Sequence, residues 1–180
     1  MNAAALAPAT EADAAELVAL RRAILAEGRW FQTEPDELRE GARERAALLR
    51  QGRFAGNQVH LVARLAGELV GALSIEGGSL RRTRHVGRLE LMVGAGVRGR
   101  GVGRALLERG LSLVRRNPVL RKVELAVYAH NGRALDLYVR AGFVEEGRRR
   151  AHGLLRDGTW VDEVWMAWWP EGAPPSSAGG

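Results

Sequence analysis

The sequence predicts an α/β domain with an antiparallel first half, and three stretches carry that prediction. Val59-His60-Leu61-Val62-Ala63-Arg64 and Leu69-Val70-Gly71-Ala72-Leu73-Ser74-Ile75 are β-rich runs separated by Gly67 and Glu68, the pattern of a hairpin. Leu89, Leu91 and Val93 alternate with Arg88, Glu90 and Met92, and a glycine-dense turn then leads into the helical pattern of Ala105-Leu106-Leu107. Val123-Glu124-Leu125-Ala126-Val127, followed by a helical run from Arg133 to Arg140, repeats the strand-then-helix order. A chain of 180 residues suits one domain with a substantial core. Residues 1–170 are expected to form it, with the Pro-, Ser- and Gly-rich residues 171–180 disordered.

The elements follow in order. Ala3 to Ala7 reads as a short strand stopped by Pro8, and Thr10-Glu11-Ala12-Asp13 resembles a capping box in which Thr10 accepts from the N–H groups of a helix start. Leu17, Leu20 and Ile24 give that helix its apolar face as far as about Glu27, where Gly28 stops it. Trp30 and Phe31 form an aromatic turn that either covers a ligand or packs as a hinge. Thr33-Glu34-Pro35-Asp36 predicts a second helix, proline in its first turn, running to about Gln51. The helix after the glycines spans about Val102 to Arg116, with Leu106, Leu107, Leu111 and Val114 inward and Asn117-Pro118 as its end. Asn131 is the expected N-cap of the last helix and Gly142 its stop. Phe143 to Glu146 opens another strand, joined through a turn at Asp157-Gly158 to a closing strand from Trp160 to Ala167.

Strand, glycine turn and helix start together are the plan of an anion site. Gly94, Gly96, Gly99, Gly101 and Gly103 lack the Cβ atoms that would hold a ligand away from the backbone, and the unpaired N–H groups of a helix start point at whatever sits in the turn. Phosphate is the expected occupant. Two motifs overlap here. Gly94-Ala95-Gly96-Val97-Arg98-Gly99 matches the dinucleotide fingerprint G-x-G-x-x-G, which makes a nucleotide-dependent oxidoreductase one reading. Arg98-Gly99-Arg100-Gly101-Val102-Gly103 fits a different pattern, Arg/Gln-x-x-Gly-x-Gly/Ala.

Composition narrows the chemistry. There is no cysteine, so disulfides and thiolate catalysis are excluded, and the four histidines have no metal-ligand spacing, so no metal is expected. No run approaches the ~20 apolar residues of a membrane span, and Met1 to Ala9 carries no basic residue. A cytoplasmic protein without a membrane partner is expected. The net charge of +6 is nearly all arginine, Lys122 being the only lysine. Arg81, Arg82, Arg84, Arg148, Arg149 and Arg150 therefore admit a basic regulatory or RNA-associated module, although no aromatic stacking or groove-reading motif accompanies them and nucleic acid is not the expected partner. A homodimer is expected because Trp165, Trp168 and Trp169 crowd the closing strand.

The second glycine pattern resembles the acetyl-CoA signature of the GNAT N-acetyltransferase superfamily. The likeness extends further: Val127-Tyr128-Ala129-His130-Asn131-Gly132-Arg133-Ala134-Leu135-Asp136-Leu137-Tyr138, then Gly142-Phe143, Glu146-Gly147-Arg148 and Asp162-Glu163-Val164-Trp165-Met166, is similar to that superfamily's second half. Thr83 to Gly87 and the closing segments most resemble the branch acting on amino acids and ribosomal-protein N-terminal alanines. The resemblance implies an acyl-CoA N-acyltransferase fold: a mixed, mostly antiparallel sheet with splayed central strands, flanked by about four helices. It implies acetyl-CoA as donor and a small-molecule or peptide amine as acceptor.

By the same resemblance, the backbone of Leu91, Met92 and Val93 would pair with the pantetheine arm. The N–H groups of Gly99, Arg100, Gly101, Val102, Gly103 and Arg104 would cradle the pyrophosphate, with Arg98 and Arg104 adding charge. Asn131 would reach the pantetheine or cap the helix behind it. Tyr138 would donate a proton to the departing sulfur, unless it serves only as core. An attacking amine must be neutral, and a lysine-like amine has a pKa near ~10.4, so a base or water chain is needed. Glu90 is the nearest carboxylate, either as that base or in a salt bridge with an arginine.

Overall fold

The computed structural model describes residues 4–172. Seven strands form one sheet: β1 (Ala5–Pro8), β2 (Gln58–Leu65), β3 (Glu68–Gly77), β4 (Val86–Val93), β5 (Lys122–Tyr128), β6 (Val144–Leu154) and β7 (Trp160–Trp168), in the order β1-β2-β3-β4-β5-β7-β6. The neighbours β4 and β5 run parallel and every other pair is antiparallel. Helices α1 (Ala14–Leu25), α2 (Ala42–Ala55), α3 (Val102–Arg115) and α4 (Gly132–Arg140) complete the domain.

Side-chain alternation assigns the helices to faces. Leu73, Ile75, Leu89, Val123, Leu125 and Val164 point to one face, where Leu106, Leu107, Leu111 and Val114 of α3 and Tyr138 of α4 join them in the main core. Val62, Ala72 and Met92 point the other way and meet Leu17 and Ile24 of α1 and Leu49 of α2. Strands β2, β3 and β4 thus serve two apolar layers, which accounts for their near-continuous hydrophobicity.

Four expectations are corrected. The second helix begins at Ala42, not near Pro35: Glu34 to Glu37 closes only a turn, its ends tied by the Glu37 N–H to the Glu34 carbonyl at 3.0 Å. The tight turn of the β2–β3 hairpin falls on Ala66 and Gly67, both at positive φ (49° and 89°), rather than on Gly67 and Glu68, as a two-residue turn compatible with strand twist requires. At the head of α1 the capping box of Thr10 and Asp13 is held by its reciprocal half, Asp13 accepting from the Thr10 N–H at 2.7 Å and hydroxyl at 2.9 Å, and not by the Thr10 oxygen as acceptor. Trp165, Trp168 and Trp169 form no exposed patch: Trp168 is buried in the core, while Trp165 and Trp169 are half-buried with cationic side chains over their rings. The tail expected to be disordered lies, from residue 173 on, outside the described residues.

Candidate active site

The central pair of strands sets the site. β4 and β5 pair only through Val86, Gly87 and Arg88 against Lys122, Val123 and Glu124, after which they diverge. On its other side β4 stays paired with β3 as far as Val93. The N–H of Gly94 bonds to the Val70 carbonyl of β3 at 2.9 Å. Main-chain groups of successive strand residues point to opposite sides, so Met92 is also committed to β3 while Leu91 and Val93 face the gap. Of the three residues expected along this edge, only Leu91 and Val93 face it, and of Val93 only the N–H is free, its carbonyl being held by Arg98 Nε.

The gap leads to the glycine turn at the C-terminal end of β4. Gly99 and Gly101 have φ of +80° and +83°, and a Cβ built on either meets nothing within 4 Å. The helix starts immediately afterwards: the Ala105 N–H reaches the Gly101 carbonyl at 2.9 Å, which leaves the N–H groups of Val102, Gly103 and Arg104 without intrahelical acceptors. Open space, left-handed glycines and free N–H groups thus coincide, and they fit a pyrophosphate. Gly94 to Gly99 instead contains a 3-10 turn, Ala95–Val97, and the helix begins only at Val102, past the second glycine set, so the dinucleotide fingerprint lacks the adjoining helix start it needs.

The two arginines of the turn differ. Arg98 forks onto Glu27 at the end of α1 with two bonds of 2.6 Å, and its Nε holds the Val93 carbonyl at 3.0 Å. This guanidinium is a brace between α1, β4 and the turn. Arg104 is exposed and pairs with Glu108 one helical turn on.

Asn131 caps α4, its side-chain oxygen accepting from the Ala134 N–H at 3.2 Å. Two turns later Tyr138 is 7% exposed and packs on Phe143, with 5.6 Å between ring centres. Its hydroxyl has no hydrogen-bond partner among the described residues and lines the cavity. Burial, with the Glu90 charge nearby, pushes that hydroxyl well above the usual phenol range, so it stays protonated. Glu90 projects from β4 toward the α1 side, bonded to Arg21 at 2.7 Å. Burial pushes its carboxyl up, and Arg21 and Arg45 only partly offset this. Both readings of Glu90 thus meet in one residue: it is salt-bridged, and it lines the cavity.

That cavity, about 1580 Å³, passes through the gap from one face of the sheet to the other. On the α1 side its wall is aromatic and charged. Trp30 stacks on His130 and His130 on Tyr128, each pair at 5.7 Å. Glu163, 2% exposed, accepts from Trp165 Nε1 at 2.8 Å and from Gln32, and Arg149 lies 3.4 Å away. The arginines proposed for a basic face are thus partly committed internally, Arg148 likewise to Glu145 at 3.3 Å.

The comparisons decide the family. A profile described as the Acetyltransferase (GNAT) family matches residues 23–143, across the gap, the glycine turn and α4. The chain belongs to this family. An L-amino acid N-acetyltransferase, AaaT of Escherichia coli K12, is 32% identical over 107 residues, 59% of this chain and 65% of that protein, so the match spans just under two thirds of the relative. The crystal structure of a GNAT-family acetyltransferase from Streptococcus pneumoniae is 28% identical, covers 93% of this chain and 99% of its own, and superposes with a TM-score of 0.88. A GNAT phosphinothricin acetyltransferase from Sinorhizobium meliloti, solved in complex with acetyl-CoA, shares the fold at a TM-score of 0.81 with 22% identity, covering 97% of this chain and 94% of its own.

Within this GNAT domain, the site residues expected from the sequence lie mostly on β4, the glycine turn and α4, and most of the aromatic and charged wall across the gap was not among them. Trp165, Arg149, Arg88 and Tyr128 were not marked as site residues, and Glu163 only as part of a closing pattern. One signal was present: on β7, Glu163 and Trp165 occupy the phase opposite the apolar Val164 and Met166, and a buried carboxylate beside an aromatic on the non-core face is a pocket signature. Among the described residues no cluster of three or more His, Asp or Glu is placed to hold a metal, and no helix is long and apolar enough to cross a membrane.

Proposed function

We propose that this chain is an acetyl-CoA-dependent N-acetyltransferase that transfers the acetyl group by direct attack of a primary amine, on a small molecule or a peptide N-terminus. The observation that carries the reading is the gap between β4 and β5, which runs from a phosphate-sized glycine cradle, past free strand backbone, to a second opening lined by aromatic and charged groups. The E. coli relative, named for amino-acid acetylation, and the acetyl-CoA complex of the S. meliloti neighbour support it. The domain is assigned to residues 1–170 and the protein to the cytoplasm, where acetyl-CoA is available.

When bound, the thioester supplies an acyl group activated toward nucleophiles. The residues of this chain orient it and manage charge. The backbone of Leu91 and the N–H of Val93 pair with the pantetheine arm as a missing strand would, and the N–H groups of Gly99, Gly101, Val102, Gly103 and Arg104 take the pyrophosphate, that of Arg100 being held by the Val97 carbonyl at 3.3 Å. The Val93 N–H faces the position where the carbonyl oxygen gains negative charge as the new C–N bond forms. Glu90, made more basic by its surroundings, accepts the proton that the amine must lose. The Tyr138 hydroxyl donates to the sulfur as the C–S bond breaks. Arg98 acts here by holding the turn against β4 and α1.

The test is calorimetric titration with acetyl-CoA, followed by an amine-dependent release of free thiol. The protein has no cysteine, so a thiol reagent reads product alone. Absence of binding refutes the reading. The proposed homodimer uses the exposed cross-strand pair Leu154 and Trp160 near the β6 edge of the sheet, 57% and 65% exposed, rather than Trp165, Trp168 and Trp169. A concentration-independent monomer in sedimentation refutes that assembly.

A further inference from the structure

The acceptor side of the gap is a bare half-sheet. Helices α1 and α2 cover β2, β3 and β4, whereas the same face of β5, β7 and β6 carries Tyr128, Glu163, Trp165 and Arg149. The segment after α1 reaches across this face, through Gln32 to Glu163 and through the Arg29 carbonyl to His130 at 2.8 Å. The concavity beneath it opens directly onto the gap.

Arg88 stands at the edge of that concavity, in the last paired position before β4 and β5 diverge. Its cross-strand partners are both carboxylates, Glu76 on β3 and Glu124 on β5. A guanidinium beside two acidic neighbours ordinarily pairs with one of them. Arg88 pairs with neither: Glu124 lies 3.8 Å from Lys122, Glu76 lies 4.0 Å from His60, and the Arg88 guanidinium carbon sits 5.1 Å from the ring centre of Trp165. Arg149 stacks on the same indole at 4.7 Å and touches Glu163 only at 3.4 Å. The other cavity arginines near the chemistry are bound more tightly, Arg21 by Glu90 at 2.7 Å and Arg98 by Glu27 at 2.6 Å.

One indole therefore orients two guanidinium groups, and one of them has no counter-ion among the described residues. A fork held flat on an aromatic face is prepared to take a carboxylate through two parallel hydrogen bonds. The cofactor phosphates are the wrong partner for it: the strand from Arg88 to Val93 alone spans about 16 Å, and the glycine cradle lies beyond Val93. Glu90, by contrast, is two residues from Arg88 on the same face of β4, about 7 Å along the strand. That separation lets one small molecule place a carboxylate on the fork and its amine toward Glu90.

Resting on the acetyltransferase reading, we infer that Arg88, held on Trp165 and assisted by Arg149, binds the carboxylate of the acceptor, so that this site selects free α-amino acids over amines that lack an adjacent carboxylate. Neutral side chains suit the aromatic wall of Trp30, Tyr128 and Trp165. A peptide N-terminus, whose first carboxyl is an amide, offers the fork nothing to grip, and a polyamine adds positive charge beside it.

The experiment compares kcat/KM for neutral L-amino acids with that for their primary amides, and for spermidine, at saturating acetyl-CoA. The wild-type protein is expected to prefer each acid over its amide by at least 10-fold. Arg88→Gln is expected to reduce that acid-to-amide ratio by about 10- to 100-fold, mainly through KM for the acid, as loss of a charge-assisted hydrogen-bond pair predicts. Arg88→Lys should recover part of the ratio, and Arg149→Gln should lower it by less. Amides used as well as acids by the wild-type protein, or an unchanged ratio in Arg88→Gln, overturns the inference. The wild-type comparison decides even if Arg88→Gln does not fold. Acetyl-CoA binding with turnover confined to carboxylate-free amines removes the clamp and leaves the acetyltransferase standing; no acetyl-CoA binding at all removes both.

Discussion

Replacing Tyr138 by phenylalanine separates chemistry from packing, because the structure gives the ring and the hydroxyl different surroundings. The ring packs on Phe143 in the main core, and phenylalanine keeps that contact. The hydroxyl has no partner among the described residues, so its removal leaves no orphaned group behind, and stability should change by less than about 1 kcal/mol. Its acidity, lowered by burial and by Glu90, is weaker than that of a thiol (pKa ~8.5), so full proton transfer to sulfur is uphill. The hydroxyl therefore contributes a hydrogen bond that strengthens as negative charge grows on the sulfur, an interaction made chiefly in the transition state. Such donors contribute about 10²-fold, or about 2.7 kcal/mol. Steady-state thiol release should show kcat lower by that factor in Tyr138→Phe, with the Kd for acetyl-CoA within about twofold and the melting temperature nearly unchanged. A kcat within threefold of wild type, in a protein of unaltered stability, refutes the role given to Tyr138.

Other outcomes follow from the same geometry. Gly101→Val places a branched side chain into open space at a φ of +83°, so it should fold with a cost of about 1–2 kcal/mol while acetyl-CoA affinity by calorimetry falls at least 10-fold; retained affinity argues against the cradle. Glu90 has its carboxyl raised by burial, so kcat/KM should increase with pH through a value above the ordinary 4.5, and Glu90→Gln should lose that limb together with most of the rate; a variant with the wild-type profile excludes it as the base. The same raised value means that folding is favoured by protonated Glu90 at low pH and loses this contribution as pH rises through it. Burial, aided by Arg45, pushes His60 down to about 4 from its ordinary 6.5, so the neutral ring contributes about 3 kcal/mol above pH 6.5, and this is lost as pH falls toward 4. Chemical denaturation at pH 7 and pH 4.5 should show that loss, and His60→Gln should reduce it; an equal loss in both proteins shows that other groups are responsible.

The donor half of the molecule was legible in the sequence because its constraints are local. A strand with period two, glycines where backbone must approach a ligand, and a helix beginning at Val102 all lie within residues 86–115, and every one of these features is set by near neighbours. The second helix was misplaced for the same reason in reverse: Pro35 satisfies the local rule for a helix start, yet Phe31, Gln32 and Thr33 just before it line the acceptor cavity and Glu34 is tied to Arg156 of the β6–β7 turn. Long-range pairing overrode local propensity there. Arg98 illustrates the limit more sharply. Its spacing within the glycine motif says phosphate, but its partner Glu27 lies 71 residues earlier, and no motif encodes that meeting. The acceptor wall is assembled from Trp30, Tyr128, Arg149 and Trp165 on four separate segments, so it had no contiguous signature to find.

The narrow seam between β4 and β5 makes the sheet incomplete as the chain alone builds it. Three residue pairs join its two halves, and beyond them the amide hydrogens of Leu91 and Val93 have no strand partner. A pantetheine arm lying in the seam would supply acceptors where a strand is missing, so the donor molecule is in effect part of the fold. Hydrogen exchange gives that statement content. Amides facing the seam should exchange orders of magnitude faster than those of β3 in the free protein, and acetyl-CoA should slow Leu91 and Val93 while leaving Met92, already bonded to β3, unchanged. An enzyme built this way is also stabilised by its own co-substrate, by about 2.7 kcal/mol at a hundredfold excess over Kd. Its resistance to heat and proteolysis would then track the supply of acetyl-CoA in the cell.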